Sequence, residues 1–557
     1  MRASIWVAIC LTAMMAAGCQ GPTSRVLATA QIPVAAPSLS PFRTVTQAKS
    51  FPGALHRDQF RAAIVASIYE RLMSHRDIER DAERITNEVA PIVREAVRLP
   101  EVQNGLAQFA GDAGMSIEEA RDRWAQLQSA DLMLESGGDP DAISTSDAVG
   151  VAQWLAGTAR GVGLKVDLSA SNRLTAAITA ARCRIAWIEY LNRPDADRSA
   201  PGAPAFSPSD VAQLPALRSE LETLRGKRRR IDQRYDPRPA IFAQTRYLMR
   251  LYDRFPSPQW LFQAYHGGEA GVTRTLRLYL GPKWPGSAAL AIRSGADGEP
   301  LTFEELLYKT TPSQHTEAFS YLYGRSDDHR HYWYKLLAAE QVLAAYRKSK
   351  SDFLQAWETN LPGRRIEAYW YPDATPLGSQ NLDALARRTD LVPVSDQPGL
   401  VIVPAIDDPA NAPRYSKLRP GAKGALLEVV KEFRGNQGAG PLQTADLTLT
   451  QEYIDRARIL HPPRPARPPI FPPDPDADAT IGGGPPRRFD YHMTGIAFDL
   501  VRPINPRDRK ILEYTLDNMA ARGLLAYIDA KDRDLRRYHI IPHPAYNDLF
   551  AKHSAGH

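Results

Sequence analysis

Apolar residues recur at helical spacing through much of the chain. The first clear set consists of residues four apart: Phe60, Ile64, Ile68 and Leu72. Residues at this spacing lie on one face of a helix, so they predict an amphipathic helix after residue 56. Similar patterns cover residues 85–97, 117–134, 239–280 and 332–357. Residues 56–360 are therefore predicted to form a mainly helical domain.

The helical stretch over 117–134 has signals at both ends. Ser116 and Glu119 form the capping-box pattern, in which each side chain accepts a hydrogen bond from the other residue's backbone. Gly137 and Gly138 follow the last apolar residues, and glycine is the usual residue just past a helix C-terminus. The helix is therefore expected to end shortly before Gly137.

Residues 195–232 look like an insertion in the helical domain. They begin with a proline-containing loop and continue into a charged helical stretch that ends at Lys227, Arg228, Arg229 and Arg230. A run of charges like this usually forms a solvated helix face. Contact with an anionic wall or with lipid headgroups is the alternative.

The C-terminal part of the chain has a different pattern. Residues 361–412 have weak periodicity and scattered prolines, which is typical of a linker or small adaptor. Beyond them the pattern predicts a helix over 422–433, a strand over 495–501, a helix over 506–523 and a strand over 524–528. A proline-rich loop over 462–486 interrupts this unit. Residues 413–557 are predicted to form a smaller α+β domain.

Composition narrows the class of protein. Of the 557 residues, 43% are hydrophobic, which is enough to bury sizeable cores and excludes a wholly disordered chain. No apolar run after the N-terminal stretch reaches the roughly 18 residues that span a bilayer, which excludes a polytopic membrane protein. The net charge of +6 is small and scattered, so no nucleic-acid-binding surface is indicated.

The N-terminus has the features of a secretory signal. Arg2 precedes an apolar run over residues 5–15, and small residues lead to Cys19. This resembles the lipobox of bacterial lipoproteins, which implies a signal peptide over 1–18, acylation of Cys19 and a periplasmic, lipid-anchored protein. Gln20 after the cysteine resembles lipoproteins sorted to the outer membrane. An ordinary signal peptide with an incidental cysteine is the alternative.

Residues 19–55 are predicted to be a flexible tether. Alanine, proline, serine and threonine dominate the first part of this stretch, a composition that cannot bury a core. Cys10 leaves with the signal peptide, so Cys183 has no cysteine partner for an intrachain disulfide.

Glu135 is the first candidate for chemistry. It follows Leu132, Met133 and Leu134, so its carboxyl is expected to be partly withdrawn from water. Desolvation favours the protonated form, which a general acid needs to deliver a proton to a leaving oxygen. Gly150 and two further glycines would let backbone approach a polymer closely.

The sequence around Glu135 resembles the lytic transglycosylases of the bacterial cell wall, which are relatives of goose-type lysozyme. The matching residues of the first block are Glu135, Ser136, Ser144, Ala148, Gly150, Gln153, Thr158 and Ala159. The chain departs from the family pattern at Asp147, where the family has glycine, and at Ala156, where it has proline. A lysozyme-like helical domain is therefore expected.

Two later blocks follow in the family's order. Tyr265, Gly267 and Gly268 match a second block, in which His266 replaces the family's asparagine. Tyr332 matches the tyrosine that the family places beside the catalytic glutamate. The resemblance implies that Ser136, Ser144, Gln153, Tyr265, His266 and Tyr332 bind the saccharide, with Tyr332 also beside the catalytic glutamate.

The resemblance also implies a mechanism without a cofactor. Glu135 would protonate the oxygen between N-acetylmuramic acid and N-acetylglucosamine and then deprotonate the C6 hydroxyl, giving a 1,6-anhydro end. Peptidoglycan glycan strands would be the substrate. Asp139, Asp141 and Glu269 lie within the motifs, and we interpret them as turn or surface acids rather than as a second catalytic carboxylate.

A second candidate site lies in the C-terminal domain. His492, Asp499 and His539 form a two-histidine, one-carboxylate set that suits a catalytic zinc ion with an open position. Their spacing resembles the zinc D-alanyl-D-alanine carboxypeptidases, which implies zinc binding and contact with stem peptides. His543 is an alternative ligand, and ordinary strand histidines are the alternative to a metal site.

The zinc-peptidase pattern is incomplete. Asp490 stands where that family has serine, and Thr448 stands where its substrate-binding arginine is expected. Arg536 stands where the family keeps its catalytic glutamate. Loss of a general base would cost about 10²–10⁴-fold in rate, so little peptidase activity is expected even with zinc bound.

These observations predict a lipid-anchored lytic transglycosylase with a zinc-peptidase-like domain that binds or trims stem peptides. A catalytically reduced, peptidoglycan-binding scaffold is one alternative, and a zinc metallopeptidase on a helical platform is another.

Overall fold

The structure, a computed structural model, describes residues 47–555 except 74, 76, 194–203, 205, 326, 361–369, 372–376, 378–380, 404–408, 446, 451, 454–490 and 533–534. The described residues are mainly helical with a smaller sheet region, which confirms the coarse fold prediction. The predicted signal peptide with Cys19 and the proline-rich loop lie outside them.

The helices of the N-terminal region follow the predicted periodicity, with breaks that the pattern did not show. In chain order they are α1 (Arg57–Met73), α2 (Ile78–Arg84), α3 (Ala90–Ala96), α4 (Gln103–Ala113), α5 (Ile117–Ser136), α6 (Ala156–Gly161), α7 (Leu168–Leu191), α8 (Pro208–Val211), α9 (Leu214–Ile231), α10 (Pro237–Arg254), α11 (Pro258–Gly267), α12 (Glu269–Leu280), α13 (Ala288–Ser294), α14 (Phe303–Lys309), α15 (Thr316–Leu322), α16 (Asp327–Lys348) and α17 (Lys350–Asn360).

The capping signals of α5 act as predicted. The Ser116 side chain accepts a hydrogen bond from the Glu119 amide, and the Glu119 carboxylate accepts one from the Ser116 amide. Gly137 ends the helix with φ of 59°, a left-handed conformation that glycine adopts without strain. The capping pattern therefore sets the end of the helix just after Glu135, which lies in its last turn.

The long helix of the predicted insertion, α9, packs against the helix that precedes the insertion. Helix α9 lies against α7 around a small apolar cluster that includes Ile185 and Leu221. The prediction of a solvated charge run is wrong for Arg228, which is 1% exposed and pairs with Asp141. Its guanidinium also lies 3.6 Å from the centre of the Tyr235 ring, so an ion pair and an aromatic ring replace the lost water.

The C-terminal region combines helices with a sheet. The elements are α18 (Leu382–Ala386), β1 (Val392–Pro393), β2 (Leu400–Ile402), α19 (Ala412–Tyr415), β3 (Lys417–Leu418), α20 (Pro420–Gly435), β4 (Leu442–Ala445), β5 (Phe498–Val501), α21 (Pro506–Ala521), β6 (Leu525–Asp532), β7 (Leu535–Pro542) and α22 (Asn547–Ala555). Within the described residues the larger sheet has the strand order β2-β4-β5-β7-β6, with β2 and β4 parallel and the other pairs antiparallel.

Parts of the predicted linker belong to this region. Strand β2 pairs with β4, and β1 pairs with β3 of the C-terminal unit. Leu385 is fully buried in a cluster that also contains Tyr415. The described parts of residues 361–412 therefore form part of the sheet-containing region and do not only connect it to the helical region.

One continuous hydrophobic core runs from α1 to α22. The Tyr514 ring of α21 lies 5.7 Å from the rings of Phe319 and Tyr323. Arg330 of α16 lies 3.5 Å from carboxylate oxygens of Glu513 and Asp517. The helical and sheet-containing regions therefore pack as parts of one body.

The last residues of the predicted tether contact the fold. The Ala48 amide donates to the Ala545 carbonyl at 2.8 Å, and the Phe51 ring lies 4.9 Å from the Phe550 ring. This end of the tether is therefore held against α22. None of the described helices combines the length and the apolar character required to cross a bilayer.

Candidate active site and metal centre

Glu135 lies in the last turn of α5 with a small opening to solvent. Its side chain is 12% exposed. The Tyr332 hydroxyl of α16 lies 2.7 Å from Glu135 Oε1, and His266 Nδ1 of α11 lies 3.1 Å from the same oxygen. Both described hydrogen-bond contacts of this carboxyl thus involve Oε1, which leaves Oε2 for a ligand.

The three sequence blocks meet at this carboxyl. The imidazole of His266 stacks on the Tyr332 ring with centroids 3.9 Å apart and planes 9° from parallel. Stacking holds both side chains against Glu135, although neither is near it in the sequence. The structure therefore brings together Glu135, His266 and Tyr332, of which only Tyr332 was expected beside the carboxyl.

Asp131 is a site residue that the sequence analysis missed. It lies one turn before Glu135 on α5 and is completely buried. The Tyr332 hydroxyl lies 2.6 Å from Asp131 Oδ1, and Gln244 donates to Oδ2 at 2.8 Å. Its spacing of four from Glu135 was the available signal, because residues four apart share a helix face.

The electrostatics of Asp131 follow from its burial. Desolvation raises the pKa of the Asp131 carboxyl well above its ordinary value, and the charge of Glu135 raises it further. Burial also raises the pKa of Tyr332, whose hydroxyl therefore keeps its proton. The site thus contains a neutral phenol between two carboxyls.

Four of the residues predicted to contact the saccharide hold the loop that follows α5. Ser136 Oγ donates to the Val151 carbonyl at 2.8 Å, and the Tyr265 hydroxyl donates to the next carbonyl at 2.6 Å. Ser144 Oγ accepts from the Ala148 amide, and the Gln153 side chain donates to the Gly150 carbonyl. These residues hold residues 144–153 beside the end of α5.

Two departures from the family pattern have local explanations. Asp147 has φ of 62°, a left-handed conformation that favours glycine and that aspartate tolerates better than most residues. Ala156 is the first residue of α6, a position at which proline is favoured but not required. Neither departure alters the Glu135 contacts.

The neighbouring acids do not line a second catalytic position. Asp139 accepts a hydrogen bond from the Asp141 amide within a turn, as expected. Asp141 also lies in a turn, but it is not a surface acid, because it is buried and pairs with Arg225 and Arg228. Glu269 accepts from the Tyr247 hydroxyl at 2.9 Å.

The second predicted site is also assembled. Ligand atoms of His492, Asp499 and His539 all lie within 4.8 Å of one another, and all three side chains are buried. Asp499 on β5 stands opposite His539 on β7, which places Asp499 Oδ1 2.8 Å from His539 Nδ1. His492 Nε2 lies 3.1 Å from the same oxygen.

The charge state of Asp499 suits a ligand. Burial acts to raise its pKa, but the nearby His492 and the hydrogen bonds with both histidines hold the pKa of Asp499 well below its ordinary value. Two imidazole nitrogens and one carboxylate oxygen match the donor chemistry of zinc. The residues therefore fit the group that the sequence implied.

The other residues considered for this site have contacts of their own. His543 follows Pro542 at the start of a short helical turn, where it accepts from the Ala545 amide and lies against Trp370, and it is not part of the three-residue cluster. Thr448 is buried and donates to the Lys417 carbonyl. Arg537 was missed, and its guanidinium lies 3.7 Å from Asp499 Oδ2. Arg536 belongs to β7, and its side chain lies outside the described part.

Comparison with protein families, with curated proteins and with solved structures found no match to this chain. Its function must therefore be argued from its own residues.

Proposed function

We propose that the protein is a peptidoglycan lytic transglycosylase that cleaves the bond between N-acetylmuramic acid and N-acetylglucosamine. The observation that carries this proposal is the meeting of Glu135, His266 and Tyr332 at one partly buried carboxyl. The sequence blocks that supply them are far apart in the chain but follow the order of that family. Polar side chains that converge on one partly buried carboxyl are expected in an acid/base site, and a purely structural core does not require them.

The contacts of Glu135 suit its two steps. In the first, its carboxyl gives a proton to the bridging oxygen while the bond from C1 of the muramic acid to that oxygen breaks. In the second, the carboxylate takes the proton of the C6 hydroxyl as that oxygen bonds to C1. Tyr332 and a suitably protonated His266 donate to Oε1, which stabilises the carboxylate between the steps.

The test uses purified sacculi and the full chain. Products are separated by chromatography and identified by mass. We expect muropeptides with 1,6-anhydro ends, without added water. Hydrated ends would indicate a hydrolase, trimmed stem peptides a peptidase, and no products under any condition the scaffold alternative.

We further propose that the C-terminal cluster binds one zinc ion through His492, Asp499 and His539 and that this region contacts stem peptides. Full-length protein purified without added metal should contain about one zinc per chain by elemental analysis. His492→Ala should lower that stoichiometry strongly, because two ligands hold the ion poorly.

His553→Ala is the matched control, since this histidine is 45% exposed and pairs with Glu428 outside the cluster. Its zinc content should equal that of the wild type. A wild-type stoichiometry near zero that does not rise on zinc titration would exclude the metal site.

We also propose that Cys19 is acylated and that the protein is a periplasmic lipoprotein of the outer membrane. Wild type should enter the detergent phase on fractionation, because several acyl chains anchor a protein firmly to a membrane. Cys19→Ala has no thiol to acylate, so it should stay in the aqueous phase. Cys183→Ala is the control, since this cysteine lies in α7. Equal partitioning of wild type and Cys19→Ala would contradict the anchor.

A further inference from the structure

The Tyr332 hydroxyl has more acceptors than protons. Its oxygen lies 2.6 Å from Asp131 Oδ1 and 2.7 Å from Glu135 Oε1. A phenol has one proton, so it donates to only one of these oxygens. The other short contact between two oxygens is a hydrogen bond only if a carboxyl supplies the proton.

The surroundings favour Asp131 as the carboxyl that carries this proton. Asp131 is 0% exposed, whereas the Glu135 side chain reaches solvent. The described side-chain partners of Asp131 are Tyr332 and Gln244, and neither carries a positive charge. An ionised carboxylate without a cation in such a place is strongly disfavoured.

The remaining hydrogen bonds give the network a direction. Gln128 donates to Gln244 Oε1 at 2.8 Å, and Gln244 donates to Asp131 Oδ2 at 2.8 Å. All of these residues are buried. Because Oδ2 accepts from Gln244, the proton of a neutral Asp131 belongs on Oδ1, facing Tyr332.

We propose that Asp131 is a positioning residue that stays protonated and, by donating a hydrogen bond to Tyr332, fixes the tyrosine hydroxyl as a donor to Glu135. A donor on the phenol oxygen also makes the phenol a stronger donor, because hydrogen bonds in a chain polarise one another. Asp131 therefore stabilises the Glu135 carboxylate that forms when the acid gives up its proton.

The activity test rests on the proposed function and uses conservative replacement. Asp131→Asn presents an amide N–H to Tyr332 and a carbonyl oxygen to Gln244, so activity on sacculi should stay within about threefold of the wild type. Asp131→Ala removes the donor that fixes the Tyr332 hydroxyl, so the hydrogen bond from Tyr332 to the charged Glu135 carboxylate is weakened or lost. Activity should fall about tenfold or more, the loss expected for one hydrogen bond to a charged group.

A double-mutant cycle separates positioning from a merely structural role. In a Tyr332→Phe background there is no hydroxyl to link Asp131 to Glu135, so adding Asp131→Ala should cost little further activity. Equal losses from Asp131→Ala in both backgrounds would overturn the proposal, as would a large loss in Asp131→Asn.

A measurement without turnover keeps this inference distinct from the proposed function. In a Glu135→Gln background only Asp131 can supply a carboxyl proton next to Tyr332. The infrared difference spectrum between Glu135→Gln and Glu135→Gln/Asp131→Asn at neutral pH should therefore show the carbonyl stretch of a protonated carboxyl. If that band is absent, Asp131 is ionised and the inference fails. If the band is present but the wild type leaves sacculi intact, the proposed function fails and the protonated Asp131 stands.

Discussion

Glu135→Gln should retain the fold and lose glycan cleavage by about 10²–10⁴-fold, the usual contribution of a general acid/base. Glutamine keeps the length of the side chain, and its carbonyl oxygen still accepts from Tyr332 and from a His266 that carries a proton on Nδ1. It has no acidic proton to give to the leaving oxygen. Release of 1,6-anhydro products from sacculi, compared with the wild type, measures the effect.

Glu118→Gln is the matched control, because this carboxylate lies on the same helix but is 66% exposed and pairs only with Arg121 among its described contacts. It should cleave like the wild type. If Glu135→Gln released as many anhydro ends as the wild type, Glu135 would not be the acid. If both variants were inactive but folded, the assay rather than the carboxyl would be at fault.

Gly150→Ala should lower the free energy of unfolding by at least about 1–3 kcal/mol, the strain of a non-glycine residue in its conformation. Gly150 has φ of 78°, and a Cβ atom there would overlap the backbone carbonyl oxygen of Arg234. A backbone neighbour cannot rotate away as a side chain can. The loop that Ser136 and Tyr265 hold beside Glu135 must then shift, so cleavage should fall as well.

Gly157→Ala gives the comparison. This glycine lies in α6, and a Cβ atom would meet no heavy atom within 4 Å. Alanine favours helix, so stability should stay equal or rise by up to about 1 kcal/mol. Urea denaturation of both variants measures the difference, and a Gly150→Ala protein as stable as the wild type would show that the close approach to Arg234 is absent.

Local patterns predicted the elements that local forces determine. The capping box at Ser116 and the glycine at position 137 set both ends of α5, because each signal acts within one helical turn. The helix and strands around Asp499 were found for the same reason. Strand β7 and helix α22 were not predicted, although β7 carries His539.

Long-range pairing explains the errors. Arg228 belongs to a charge run that is solvated in most proteins, and its sequence neighbours do not show that Asp141 lies opposite. Asp131 was overlooked because the role of a single polar residue in an apolar stretch can be recognised only once its partner is known. That partner, Tyr332, lies on another helix, so the fold and not the local sequence identifies the pair.

The contacts of Ala48 with Ala545 and of Phe51 with Phe550 of α22 have a consequence for how the chain folds. These partners are separated by nearly the whole described chain, so the N-terminal segment cannot complete its packing before the C-terminal residues are present. Closing so long a loop is slow, although its entropy cost grows only with the logarithm of its length. A chain cut short of α22 would lack the Phe550 contact and would present the Phe51 ring to chaperones and proteases.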